Sequence, residues 1–235
     1  MTERGERVYS ALAKALILAR HTGARLELFL CDTDSHSGQH TLRRGHEYLR
    51  ALREGIWCTD VAIDAEVASA PSLVQGLIEQ LQRAPAQLVV RALERADATT
   101  AMFAWQFLRQ SRTPLLLTSG RPWRATPLFA AALNTQAPQS SNVSIGGLTE
   151  CLGRSCGAQV EYLISKPERL PGLLAERCYD LITVNLTAAE SATTQVRRVE
   201  TLLQACSADV LLLHPGPVAN ADGPDPPPAV RFAER

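Results

Sequence analysis

The chain repeats itself, and this constrains its fold more than any other feature. Gly23-Ala24-Arg25-Leu26-Glu27-Leu28-Phe29-Leu30 is matched 134 residues later by Gly157-Ala158-Gln159-Val160-Glu161-Tyr162-Leu163-Ile164. Each octet is a Gly-Ala turn that follows a helical stretch and leads into a strand. Gln87-Leu88-Val89-Val90 is matched 93 residues on by Asp180-Leu181-Ile182-Thr183, and Leu115-Leu116-Leu117 is matched 96 residues on by Leu211-Leu212-Leu213. Between these last two blocks both halves carry Ala-Thr-Thr (98–100 and 192–194) and then a helix. A chain that writes one order of elements twice folds as two related units. Its 235 residues suffice for two domains of roughly 100 residues each.

Neither copy is complete. The offset falls from 134 to 93, so 41 residues of the first half lack a counterpart in the second. They include His36 to Val67, a helix and a strand. The first half has its own gap. It opens directly in a helix, with Val8, Leu12, Ala15, Leu16 and Ala19 on one face, whereas the second half opens with a strand over 127–133. Gly23 ends the first helix. Strands are predicted over 26–31, 58–67, 87–90 and 114–118. Helices are predicted over 42–54, from Ser69-Ala70-Pro71 to about Arg83, and over 101–110. Strands alternating with helices of this length predict βαβ units and a parallel sheet. Gly120-Arg121-Pro122 marks the seam. The expected domains are 1–120 and 121–216, followed by a Pro-rich tail over 217–235 that is expected to be disordered.

Composition closes several function classes. Lys plus Arg equals Asp plus Glu at 24 each, so no net charge draws the chain to nucleic acid or anionic lipid. Arg43-Arg44 and Arg197-Arg198 are isolated pairs without interleaved aromatics. No apolar run is long enough to span a bilayer, and the charged stretch Met1 to Arg7 is no signal sequence. The expected compartment is the cytoplasm. The six cysteines form no CxxC pair and are read as mostly reduced core thiols, Cys151 and Cys156 among them. Trp57, Trp105 and Trp123 are read as packing residues. His36, His40 and His46 follow Cys31, Asp32 and Asp34, and His36 and His40 could share a metal at i,i+4, but no second pair completes a ligand set, so no metal is expected. Gly146-Gly147 could form a phosphate nest, although close helix packing explains it as well. No Ser-His-Asp order or H-E-x-x-H is present, and the chain is not expected to be an enzyme.

Residues 105–134 read WQFLRQSRTPLLLTSGRPWRATPLFAAALN. A helix ending in Leu-Arg, a Pro-led apolar strand, a Pro-Trp linker and a strand ending Ala-Ala-Leu-Asn resembles the inter-domain junction of tandem universal stress proteins of the E type. Glu54-Gly55-Ile56 before a strand, and the strand at 87–90, are similar to that family's first domain. The likeness covers residues 5–215. It implies an α/β fold of two tandem Rossmann-like (adenine nucleotide alpha hydrolase-like) universal stress domains with mainly parallel sheets, each incomplete. It also implies strand order 3-2-1-4-5 and two halves packed through their last strands as an internal pseudo-dimer. With its central strand missing, the first sheet should be interrupted, or strands 2 and 4 should close up.

Nucleotide-binding members of that family carry G-x2-G-x9-G-[ST] after the fourth strand, where glycines let the backbone approach phosphates. Here the first two glycines correspond to Ala92 and Arg95, and to Asn185 and Ala188. Ala101-Met102 and Val196-Arg197 replace the Gly-Ser pair, and the intervening loops shorten to five and seven residues. The family's first-strand Asp corresponds to Asn134. The resemblance therefore implies no usual ATP site and no cofactor. The chain is expected to be a non-catalytic stress-response protein acting through an unnamed protein partner, as a homodimer or internal pseudo-dimer. The alternative is a small-molecule or nucleotide sensor whose rebuilt pocket uses Asn134 and Asn185.

Overall fold

The computed structural model describes residues 3–33, 39–56, 60–135, 137, 139–186, 190–214 and 229–234. The first half runs α1 (Glu3–Thr22), β1 (Arg25–Asp32), α2 (Gln39–Glu54), β2 (Ile63–Ser69), α3 (Leu73–Arg83), β3 (Leu88–Ala92), α4 (Ala98–Ser111) and β4 (Leu115–Thr118). The second runs β5 (Leu128–Asn134), α5 (Gln139–Cys156), β6 (Gln159–Ser165), a 3₁₀ turn over Pro167–Arg169, α6 (Leu170–Ala175), β7 (Leu181–Asn185), α7 (Ala192–Ala205) and β8 (Asp209–Leu213). A last strand, β9 (Ala229–Glu234), follows.

The repeat is visible in the turns. Gly23 and Gly157 sit at φ +68° and +64°, the left-handed conformation that ends a helix and that only glycine adopts without strain. In each half the next amide reaches back into the helix, Ala24 to Ala19 and Ala158 to Gly153, both at 2.8 Å. The triple-leucine match is off by one. Val89 pairs with Leu115 and Ile182 with Val210, so Leu115 corresponds to Val210. A one-residue slip would turn every side chain to the opposite face.

The strand order is β2-β1-β9-β3-β4-β8-β7-β5-β6, one nine-stranded sheet. All neighbours are parallel except β4 and β8, which meet antiparallel where the halves join. The second half has order β8-β7-β5-β6, with no counterpart of α2 or β2, so β6 is an edge strand. The first half is neither interrupted nor closed up. Instead β9 occupies the place of the missing central strand, parallel to β1 from Arg25↔Ala229 to Leu30↔Glu234 and parallel to β3 from Leu88↔Val230 to Arg91↔Ala233. The expectation of disorder throughout 217–235 is therefore corrected for Ala229–Glu234. Its inward pull is the row of backbone groups that β1 and β3 would otherwise leave unpaired in the sheet interior. Residues 215–228 lie outside the described residues.

Two cores cover the two faces. Helices α3, α4, α6 and α7 pack on one face, burying Phe29, Phe107, Leu115 and Val210. Helices α1, α2 and α5 pack on the other over Leu26, Leu28, Phe129 and Leu211. The seam is pinned by a buried ion pair. Lys14 Nζ lies 2.8 Å from Asp209 Oδ1, and their side chains are 3% and 0% exposed. The same oxygen accepts from Ser119 N at 2.7 Å and Ser119 Oγ at 3.0 Å, and Trp123 Nε1 donates to Oδ2 at 2.7 Å. Trp123 also meets Phe129 edge-on at 5.2 Å. Among the described residues no helix is long and apolar enough to cross a membrane.

The cysteines divide. Cys31 is buried and Cys156 and Cys206 half-buried. Cys178 is exposed, and so is Cys151, which corrects the latter's reading as a core thiol. Burial pushes the Cys156 and Cys206 thiols up to about 11.

Candidate functional site

Doubly wound sheets present their ligand crevice beyond the carboxyl ends of the strands, where the winding reverses. That point lies between β9 and β3 in the first half and between β5 and β7 in the second.

In the first half, β3 passes through residues 93–97 into α4. Arg7 of α1 donates to the carbonyls of Leu93 (3.3 Å) and Glu94 (2.5 Å), and Leu93 N donates to Thr118 O at 2.8 Å. The connection is tied to the body of the domain. The N-terminus of α4, where the family's phosphate loop would deliver an anion, is capped by Asp97, whose Oδ1 accepts from Thr100 N at 2.9 Å. That backbone hydrogen bond, aided by the charge of Arg95 and opposed by slight burial, holds the Asp97 carboxyl below its usual range. A carboxylate here already satisfies the helix's positive end. Beside it a cleft of about 650 Å³ is lined by Ser72, Arg91, Glu94, Arg95, Asp97 and Phe103, with the Arg91 guanidinium 4.1 Å from the Phe103 ring.

The lowered Asp97 carboxyl sets a direction in pH. Because the folded value lies below the unfolded one of about 3.9, its contribution is complete above that value and is lost as pH falls through the folded value. Asp97→Ala should lower stability by about 1 kcal/mol at neutral pH. Urea unfolding of both proteins should show this gap narrowing as pH falls below about 3.9. A gap that stays constant across the titration would show that the carboxylate is not the cap.

In the second half, Asn134 and Asn185 are the last residues of β5 and β7, so the fold brings both to the crevice mouth. Their side chains do not converge. Ala130 and Ala132 belong to the core under α6 and α7, so strand alternation carries Asn134 to that face. Leu181 belongs to the core under α1 and α5, which carries Asn185 to the other. The β5 tip is clamped by Asn142, whose Oδ1 accepts from Asn134 N at 3.1 Å and whose Nδ2 donates to Asn134 O at 3.0 Å. The Asn185 Oδ1 is shielded from solvent and has no hydrogen-bond partner among the described residues. At the start of α7, Ser191 Oγ accepts from Thr194 N at 3.3 Å. Glu190 accepts from Gln195 Nε2 at 3.1 Å and pairs with Arg198 at 2.7 Å. The α7 N-terminus is thus capped by a hydroxyl, with the neighbouring Glu190 carboxylate engaged by Gln195 and Arg198. Residues 187–189, including Ala188, lie outside the described residues.

The remaining candidates do not assemble. His36 and Trp57 lie outside the described residues, and His46 is exposed on α2. Among the described residues no three His, Cys, Asp or Glu side chains converge. Gly146 lies against the Tyr162 ring, where a Cβ would come within 3.3 Å, whereas a Cβ on Gly147 would meet open space. Asp97 and Ser191, which the sequence reading did not single out, carry the local signal of helix caps ahead of Ala-Thr-Thr. The Lys14–Asp209 pair carries no such signal, because nothing local links residues so far apart.

No protein-family model matches the chain, and no curated protein matches its sequence. Solved structures do. A Pseudomonas aeruginosa protein described as functionally unknown matches with TM-score 0.63 and 17% identity, over 87% of each chain. Another from that species, with a provisional universal stress protein assignment, matches with TM-score 0.63 and 17% identity over 86% of this chain and 87% of that one. A universal stress protein from Archaeoglobus fulgidus matches with TM-score 0.61 and 10% identity over 91% and 93%. The chain has the universal stress protein fold. At these identities the likeness carries the architecture, and function must come from the site.

Proposed function

We propose that this is a non-catalytic, tandem universal-stress-type protein of the cytoplasm, acting through protein surfaces and without ATP in the family's usual mode. One observation carries the reading: the N-terminus of α4 at the first crevice is capped by a carboxylate of the chain itself, Asp97. A triphosphate placed there would meet like charge, and Ala92 and Asn185 carry a Cβ where close backbone approach requires glycine. Calorimetric titration with Mg-ATP to millimolar concentration should give no saturable heat. Saturable binding weakened at least tenfold by substitutions at either crevice would overturn the reading.

A second reading, a small-molecule sensor using a rebuilt second-half pocket, draws on Asn185, whose shielded Oδ1 lacks a partner among the described residues. Because Asn134 lies on the opposite face, such a ligand would be held by Asn185 without it. Binding lost in Asn185→Ala but kept in Asn134→Ala would favour this sensor.

A further inference from the structure

We propose that the edge of β6 pairs antiparallel with the β6 edge of a second copy of this chain, about a two-fold axis at Tyr162. The inference stands whether or not the crevices take a ligand.

The internal repeat shows what is missing at this edge. In the first half the corresponding strand, β1, is flanked by β2 and covered by α2. Helix α2 lies so close that a Cβ on Gly45 would come within 2.9 Å of Leu30. The second half has neither element. Tyr162 and Ile164, the counterparts of buried Leu28 and half-buried Leu30, are therefore 45% and 69% exposed.

The backbone is poised for one register. Gln159 N donates to Pro127 O at 2.8 Å, and Ser165 O accepts from Thr135 N at 3.2 Å. In a parallel ladder the N–H and C=O of one residue point the same way, and successive residues alternate. Residues 159, 161, 163 and 165 thus face β5, and Val160, Tyr162 and Ile164 turn both groups outward. A two-fold axis at Tyr162 makes these three the hydrogen-bonded positions. Tyr162 pairs with Tyr162 of the second copy, and Val160 pairs with Ile164. On the other face Glu161 lies opposite Leu163, so no like charges meet. The Glu161 carboxylate is already held by Arg177 and by the Tyr179 hydroxyl at 3.0 Å. The opposite sheet edge, β2, carries Asp64 and Glu66, the charged guards that discourage such pairing. Strand β6 carries no Lys, Arg or Pro.

A seven-residue edge is small against the ~800 Å² per partner of a stable complex, so the dimer should be concentration-dependent. Sedimentation velocity of the full chain from about 1 to 500 µM should move from once to twice the chain mass, the range expected for an interface of this size. Amide exchange at Val160, Tyr162 and Ile164 should slow with it. Ile164→Lys and Ile164→Pro should shift the dimerisation midpoint at least tenfold upward while leaving Tm unchanged, because neither removes a hydrogen bond within the monomer. Ile164→Val should dimerise normally. A monomer throughout would overturn the proposal and leave the edge to a strand of another protein. A dimer untouched by both Ile164 variants would overturn it in favour of a different surface.

Discussion

Ending the chain at residue 228 should cost this protein the cooperative folding of its first half. Strand β9 lies between β1 and β3 and pairs with both, and among the described residues no other strand joins the β2–β1 pair to the six strands β3-β4-β8-β7-β5-β6. Removing it leaves facing rows of backbone N–H and C=O groups inside a sheet covered by helices. Each buried group left unpaired costs about 1–3 kcal/mol, against a typical total stability of roughly 5–15 kcal/mol. Truncation should therefore abolish the native first half rather than soften it. In urea, the part of the transition belonging to β1, β2 and α2 should disappear, and the amides of β1 and β3 should lose their exchange protection. Moving residues 215–235 ahead of Glu3 should restore both, since a strand there feeds directly into α1, the connection the second half makes from β5 to α5. A truncated chain that unfolds with the parental midpoint and amplitude would show that β9 is dispensable to the native sheet.

Asp209→Ala should destabilise the protein by about 3–5 kcal/mol, the range for removing one partner of a buried ion pair. The substitution strands the Lys14 ammonium, the Ser119 amide and the Trp123 indole N–H together, each of which now finds its acceptor on this carboxylate. The cost lies in the orphaned charge rather than in the worth of the pair. The double variant Lys14→Met, Asp209→Leu should therefore recover a large part of the loss, since apolar replacement of a buried pair is often neutral or better. Urea midpoints for the parent, the two single variants and the double variant form the cycle that checks this. A double variant as unstable as the sum of the singles would mean that the hub acts through its hydrogen bonds to Ser119 and Trp123.

Much of the architecture was legible in the sequence because it rests on local physics. Gly23 and Gly157 announce the same helix stop, since a positive φ demands glycine in both places. Alternating strands and amphipathic helices announced the parallel sheet, and the drop in repeat offset announced that β6 would lack its α2–β2 cover. The loss of glycines at Ala92 and Asn185 pointed to altered crevices, and Asn134 and Asn185 fall at strand tips as their positions required. The sequence could not assign Ala229–Glu234. Six residues behind a proline run read as a tail, and only the unpaired backbone of β1 and β3, roughly 140 to 200 residues earlier in the chain, gives them a place. Nor could it say that Asn134 and Asn185 turn to opposite faces, or that Lys14 and Asp209 meet, because register and burial are set by partners distant in sequence. Local conformation was thus determined residue by residue. Which strand completes the sheet, and which charges share its interior, was decided only when the two halves closed on each other and the buried backbone groups of the sheet had to find partners.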